Sequence, residues 1–309
     1  MRKSFGAKTN LFFLFTLFFV LSGKPSWAWG NDGHIYISQV AAENLPADVP
    51  AFLRSSAAEL AYLGPEPDRG REDSDPALKS AQEPDHYIDL ERVDWLDPFP
   101  RGRYEFYRKL YEKRAQSTEN PDAYLPERVG LQPYIVAEIF DRLKIAFREY
   151  RGLSERHEPT SMLEHKIVFY AGWMGHYVAD GSQPLHTTIH YNGWVGRNPN
   201  GYTTQPGIHS AFETAYVARH IAAKDFSGLV HAPAHLADPF ENYLSYLRDS
   251  NRLVERVYQL DVAGGFRDRG SRDAFDFTIH RLAAGSQMLV DLWYTAWLDS
   301  AHPFEPKKK

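Results

Sequence analysis

Apolar side chains in this sequence return at steps of three and four residues, and that interval decides the fold class. Val136, Phe140, Leu143, Phe147 and Tyr150 form one stripe, as a 3.6-residue repeat requires. Phe275, Ile279, Leu282, Leu289, Trp293 and Ala296 form another. Shorter segments of the same period cover 35–45, which ends at Pro46, then 50–63 and 163–179. The strict alternation of a half-buried strand is scarce. The expectation is an all-α fold, a single compact multi-helix domain, with any chemistry carried on helices and the loops between them. Two loops stand out. Residues 64–76 are rich in proline and charge, and residues 187–208 are rich in Gly, Asn and Thr. The second is read as a wall or lid of a site, or as a solvent-exposed excursion.

The chain has no cysteine. Disulfides are therefore excluded, and any zinc must be held by His, Asp, Glu or backbone groups. The first residues have the organisation of an export signal. Arg2, Lys3 and Lys8 precede an apolar run over 11–21 broken only by Thr16, and Ser26 and Ala28 supply small residues for cleavage. The run is shorter than the roughly 20 residues that a spanning helix needs. Residues 1–28 are thus expected to be a signal peptide, 29–301 the working domain and 302–309 a tail. The mature chain would be exported to the periplasm or the medium, hold no membrane segment and act as a monomer. Cleavage removes four cations and no acid, leaving 31 Lys+Arg against 40 Asp+Glu. That balance excludes a broad basic surface for duplex DNA.

The most specific stretch is His176-Tyr-Val-Ala-Asp180-Gly-Ser-Gln-Pro-Leu-His186. His176 and Asp180 are one helical turn apart and face the same way. His209 and Glu213 repeat the spacing. Two nitrogen–carboxylate pairs and the lone His186 suit more than one zinc ion, which points to hydrolysis. Five groups cannot fill several ions, so further ligands are expected upstream: His34 and His86, with Asp68 as a carboxylate. Of the other histidines, His190 is a decoy in a turn-rich loop, and His165, His220 and His280 lack such company and are read as structural or exposed.

Together these residues resemble one superfamily: the zinc-dependent phospholipases C of bacteria and the single-strand-specific zinc nucleases of fungi and plants. The likeness runs from Trp29 to about Trp297. It implies an all-α domain with three zinc ions in a cleft. Carried over residue by residue, it gives Trp29 (free α-amino group and carbonyl oxygen) and His34 to one ion, with Asp180 bridging to a second that Asp68, His86 and His176 complete. The third would take His186, His209 and Glu213. Asp68 could also act on the attacking water. Signal cleavage would then create a ligand. Two zinc ions about 3.5–4 Å apart suit phosphodiester hydrolysis by stabilising both the attacking and the leaving oxygen.

The two branches divide the features. Glu213 and the lack of cysteine resemble the phospholipases. Trp29-Gly-x-x-Gly-His34 resembles the nucleases, as does Asp68-Arg-Gly-Arg71, in which Arg71 would contact the phosphate; the alternative for Arg71 is a solvated charge. His86-Tyr-Ile-Asp89 matches a nuclease stretch in which Tyr87 would stack on a base and Asp89 read its edge, although phospholipases carry a similar run and Tyr87 also suits a core. The first expectation is a zinc endonuclease on single-stranded DNA or RNA that releases 5′-phosphorylated products. The alternative is a phospholipase C on phosphatidylcholine-like lipids. A reading of another class is an exported zinc-binding protein without catalysis.

Overall fold

The computed structural model describes residues 29–71 and 73–302. The expected signal peptide at 1–28, and all of the expected tail beyond residue 302, lie outside the described residues. The longer helices are α1 (Gly30–Glu43), α2 (Ala57–Leu63), α3 (Pro76–Gln82), α4 (Arg103–Gln116), α5 (Gln132–Glu155), α6 (Ser161–Ser182), α7 (Pro239–Asn251), α8 (Val254–Val262) and α9 (Arg272–Asp299). Among the described residues no strand forms, only isolated bridges at Ile88–Gly130 and Tyr191–Gly193. The all-α, compact helical domain is as expected.

The two apolar stripes account for the scaffold. On α5, Val136, Ile139, Phe140, Leu143, Ala146 and Phe147 are all buried, and fully burying a Leu or Phe contributes about 1.5–3 kcal/mol. Pro133 stands in its first turn, where a missing N–H costs nothing. The α9 stripe buries Ile279, Leu282, Leu289, Trp293 and Ala296, and Ser271 caps the helix by accepting from the Ala274 amide at 3.1 Å.

α6 lies between these elements, with α1, α2, α5 and α9 packed on it. From Met174 to Ser182 every residue of α6 is buried. A helix enclosed on all sides has no solvent for its polar side chains, so His176 and Asp180 must find partners inside the protein.

Three segments differ from the sequence expectation. The 50–63 helix breaks at Ser56, giving Ala51–Ser55 and then α2. The 64–76 loop contains the short helix Glu66–Arg69, which sets Asp68 inward and buried. His209 and Glu213 are not on a uniform α-helix. Residues Ala211–Tyr216 form a π-helical turn, the wider geometry that often marks functional sites. The 187–208 loop is pinned: the Asn198 side chain bonds both the amide and the carbonyl of Tyr202, and Trp194 N donates to Thr203 O at 2.8 Å.

Candidate metal centre

The backbone brings eight of the sequence-chosen side chains to one buried place. α1 supplies His34, the Glu66–Arg69 turn Asp68, and the Glu83–His86 turn His86. The end of α6 supplies His176 and Asp180, the turn after Pro184 supplies His186, and the segment from Ile208 supplies His209 and Glu213. Their ligating atoms fall into three groups: His34, His176 and Asp180; Asp68, His86 and His176; and His186, His209 and Glu213, each within 4.8 Å. The third group brings together the three side chains that the resemblance would give to one ion. His176 stands in both of the first two, and its ring stacks on His34 at 4.0 Å between centroids.

The imidazoles are aimed by backbone. The Nδ1 atoms of His86, His176, His186 and His209 lie 3.0, 2.9, 2.8 and 2.9 Å from the carbonyl oxygens of Gln82, Gly64, His86 and Tyr191. A carbonyl only accepts, so Nδ1 carries a proton, and in the neutral ring Nε2 is left with a bare lone pair. Support of this kind orients metal-binding histidines. Nothing in the described protein then satisfies several inward atoms: Nε2 of His86 and of His176, Oδ2 of Asp68 and both carboxylate oxygens of Asp180 are buried without a hydrogen-bond partner.

The spacings suit a cation. Asp180 Oδ1 is 3.4 Å from His34 Nε2 and Asp180 Oδ2 is 3.4 Å from His176 Nε2, while Asp68 Oδ1 is 3.6 Å from Nε2 of both His86 and His176. These are long for hydrogen bonds. They are near the ligand-to-ligand edge of a tetrahedron with bonds of about 2.0–2.1 Å, which is roughly 3.4 Å. In the third group His186 Nε2 and His209 Nε2 are 3.1 Å apart, and Glu213 Oε2 is 2.9 Å from His209 Nε2. Two lone pairs cannot face one another at that distance unless a proton or a metal lies between them. The residues fit bound zinc.

Protonation follows from burial. Desolvation pushes the Asp68 carboxyl up to about 7, against the pull of Arg71, and pushes Asp180 well above the carboxylate range. It drives His86, His176 and His186 down, so they are neutral and ready to ligate. Burial opposes ionising Glu213 too, but His209 and His186 outweigh it and hold Glu213 below the usual range, and Glu213 in turn raises His209 against its own burial.

The remaining sequence candidates are placed as follows. Arg71 is largely buried and pairs with Asp68 at the edge of the second group. Tyr87 donates its hydroxyl to Glu127 O at 2.6 Å, and Asp89 pairs with Arg92 Nε at 2.9 Å. Trp29 is fully buried; its indole donates to Ala179 O and Ser182 Oγ, and its carbonyl accepts from Gly33 N at 3.1 Å. His190 stands outside the three groups, stacked on Trp194 at 4.1 Å.

Two residues were missed. Gln183 Nε2 donates to Glu213 Oε2 at 2.8 Å while its Oε1 accepts from Leu185 N. Gln132 Nε2 bridges His86 O and Tyr177 O, both at 3.1 Å. Gln183 could have been found from its place before Pro184 in the ligand run; nothing marked Gln132.

No protein-family model matches the chain. A probable serine protease of Bradyrhizobium tropiciagri is 26% identical over 201 residues, 55% of this chain and 24% of that protein. The chain therefore spans about a quarter of the length of that curated relative. Among solved structures, the alpha-toxin of Clostridium absonum matches with a TM-score of 0.42 at 15% identity, covering 90% of this chain and 68% of the toxin. An alpha-toxin of Clostridium perfringens from an avian strain matches with a TM-score of 0.36 at 15% identity, covering 88% and 64%. At these scores neither likeness carries an argument about chemistry.

Proposed function

We propose that this chain is a zinc-dependent hydrolase of phosphodiester bonds, with phospholipids as its first substrate class. The observation that carries the hydrolase reading is the set of eight buried ligand side chains in three adjoining groups, with the unpartnered Nε2 of His176 3.4 Å from an unpartnered Asp180 oxygen. Zinc bound there would supply Lewis acidity and water acidified to a pKa near 7. The residues would hold the rest of the chemistry. Arg71 offers a planar pair of N–H donors for a phosphate oxygen. Asp68 Oδ2, buried without a partner, would take a proton from the attacking water. Freed by export processing, Trp29 would add its amine to the His34 group.

The lipid reading rests on three features. Tyr87 and Asp89, the pair that a nuclease would turn to a base, are engaged with Glu127 and Arg92. Glu213 has the phospholipase-like acid. Tyr191 and Val195, 58% and 53% exposed, present apolar surface on the loop that holds His209. A second reading, single-stranded nucleic acid, is favoured by the Trp29–His34 spacing and by Arg71.

The test is a parallel assay of the zinc-loaded chain on phosphatidylcholine, single-stranded DNA and RNA. Lipid cleavage is expected. Cleavage of nucleic acid alone returns the nuclease reading, and bound zinc without turnover on any of them leaves a non-catalytic zinc protein.

A further inference from the structure

The last two turns of α6 carry His176 and Asp180, and their carbonyls are bonded from outside the helix as well as along it. Three donors come from one stripe of α7. Tyr243 Oη donates to Tyr177 O at 3.0 Å, Tyr246 Oη to Val178 O at 2.7 Å, and Ser250 Oγ to Gly181 O at 2.6 Å. Positions 243, 246 and 250 share a helix face. All three residues are buried. Other donors complete the set: Trp29 Nε1 to Ala179 O at 2.8 Å and Arg281 Nε to Ser182 O at 2.9 Å. The approach of α7 depends on Gly181, where a Cβ would lie 2.8 Å from both Tyr243 Oη and Tyr246 Cε1.

Stability alone does not call for hydroxyls at 243 and 246. In an α-helix the carbonyls of Tyr177 and Val178 already accept the amide four residues on, so phenylalanine at both places would fill nearly the same space and leave both acceptors satisfied. Ser250 differs: Gly181 lies in the last turn, the Leu185 amide is bonded to Gln183 Oε1, and Ser250 Oγ also accepts from Arg281 at 3.1 Å. What the array does is fix the depth and rotation of the turn that holds Asp180, whose two oxygens lie 3.4 Å from His34 and from His176. Metal sites need their ligands held within about 0.5 Å.

We propose that Tyr243, Tyr246 and Ser250 are positioning residues for the metal centre, acting through the backbone of α6 on Asp180 and His176. The proposal rests on the zinc reading above.

The experiment compares the full processed chain with Tyr243→Phe/Tyr246→Phe/Ser250→Ala, and with Tyr134→Phe as a control. Tyr134 is a buried tyrosine whose hydroxyl donates to Pro100 O at 2.8 Å and touches no ligand-bearing turn. Zinc retention is titrated against a graded chelator series, kcat and KM are measured, and metal-free melting is followed by circular dichroism. The triple variant is expected to hold zinc about 10–100-fold less tightly, to lose kcat at unchanged KM, and to melt metal-free no lower than Ser250→Ala alone, which bares Gly181 O and Arg281. Ser250→Thr, which keeps the hydroxyl, is expected to match the parent. Zinc retention equal to the parent, or an equal loss in Tyr134→Phe, overturns the proposal. Should the triple variant not fold, Tyr246→Phe alone carries the same test, with a smaller shift of the same sign. A parent chain that holds no zinc removes the zinc reading itself; a parent that holds zinc beside an unaffected variant removes only this proposal.

Discussion

Asp180→Asn should move stability in opposite directions with and without zinc. Both Asp180 oxygens are fully buried and unpartnered. The neighbouring Asp68 gives the scale. Burial, partly offset by Arg71, lifts its carboxyl from 3.8 to about 7. At about 1.4 kcal/mol per tenfold change, keeping that one carboxylate ionised costs the metal-free fold about 4 kcal/mol. The sign follows from the order of the two values. The folded one lies above the unfolded one, so the cost is absent below pH 4 and complete above pH 7. Asp180 has no arginine bonded to it, and burial together with the neighbouring Asp68 raises it well above the carboxylate range, against the pull of Arg71. Asparagine keeps the shape, loses the charge and can donate to an imidazole lone pair. At pH 8 the metal-free variant is therefore expected to be more stable than the metal-free parent. With zinc the order reverses, because the ion held by His34 and His176 loses the one carboxylate of its group. Urea unfolding at pH 8, in chelator and in excess zinc, measures both differences. A metal-free variant that is less stable than its parent would refute the reasoning, since it would mean that Asp180 has a stabilising partner inside the protein.

Other substitutions test other parts of the account. Gly130 has φ +93° and a Cβ there would meet Tyr87 O at 2.1 Å; Gly130→Ala should cost about 2–4 kcal/mol in urea unfolding and loosen zinc by shifting the turn beside His86. Arg71→Ala should leave the zinc content unchanged while kcat/KM falls about 100-fold or more, the scale for losing one preorganised donor to a developing charge. Glu213→Gln removes the anion that raises His209, so the His209 pKa, followed by NMR on metal-free protein, should fall.

The sequence reveals what periodicity can carry. The stripes of α5 and α9 were legible because their buried positions are apolar at helical spacing. α4 was not, since Arg103–Gln116 buries only Phe106 and Leu110 and leaves Tyr104 and Tyr111 exposed. α7 escaped for a different reason: its inner face is built partly from Tyr243, Tyr246 and Ser250, whose hydroxyls read as polar surface. At the site, His176 with Asp180 and His209 with Glu213 were visible as side chains one turn apart. The carbonyls of Gly64, Gln82 and Tyr191 that orient the imidazoles could not be seen, because every residue has a carbonyl and only the fold says which one a ring meets. The π turn at Ala211–Tyr216 was equally hidden, as its sequence spacing is that of an ordinary helix.

On this reading the buried ligand groups exist to hold metal. Quantitative elemental analysis of the purified chain, before and after exhaustive chelation, tests it directly. About three zinc ions per chain, lost on chelation together with hydrolase activity, is the expected result. A folded, hydrolytically active chain free of any tightly held transition metal would contradict it.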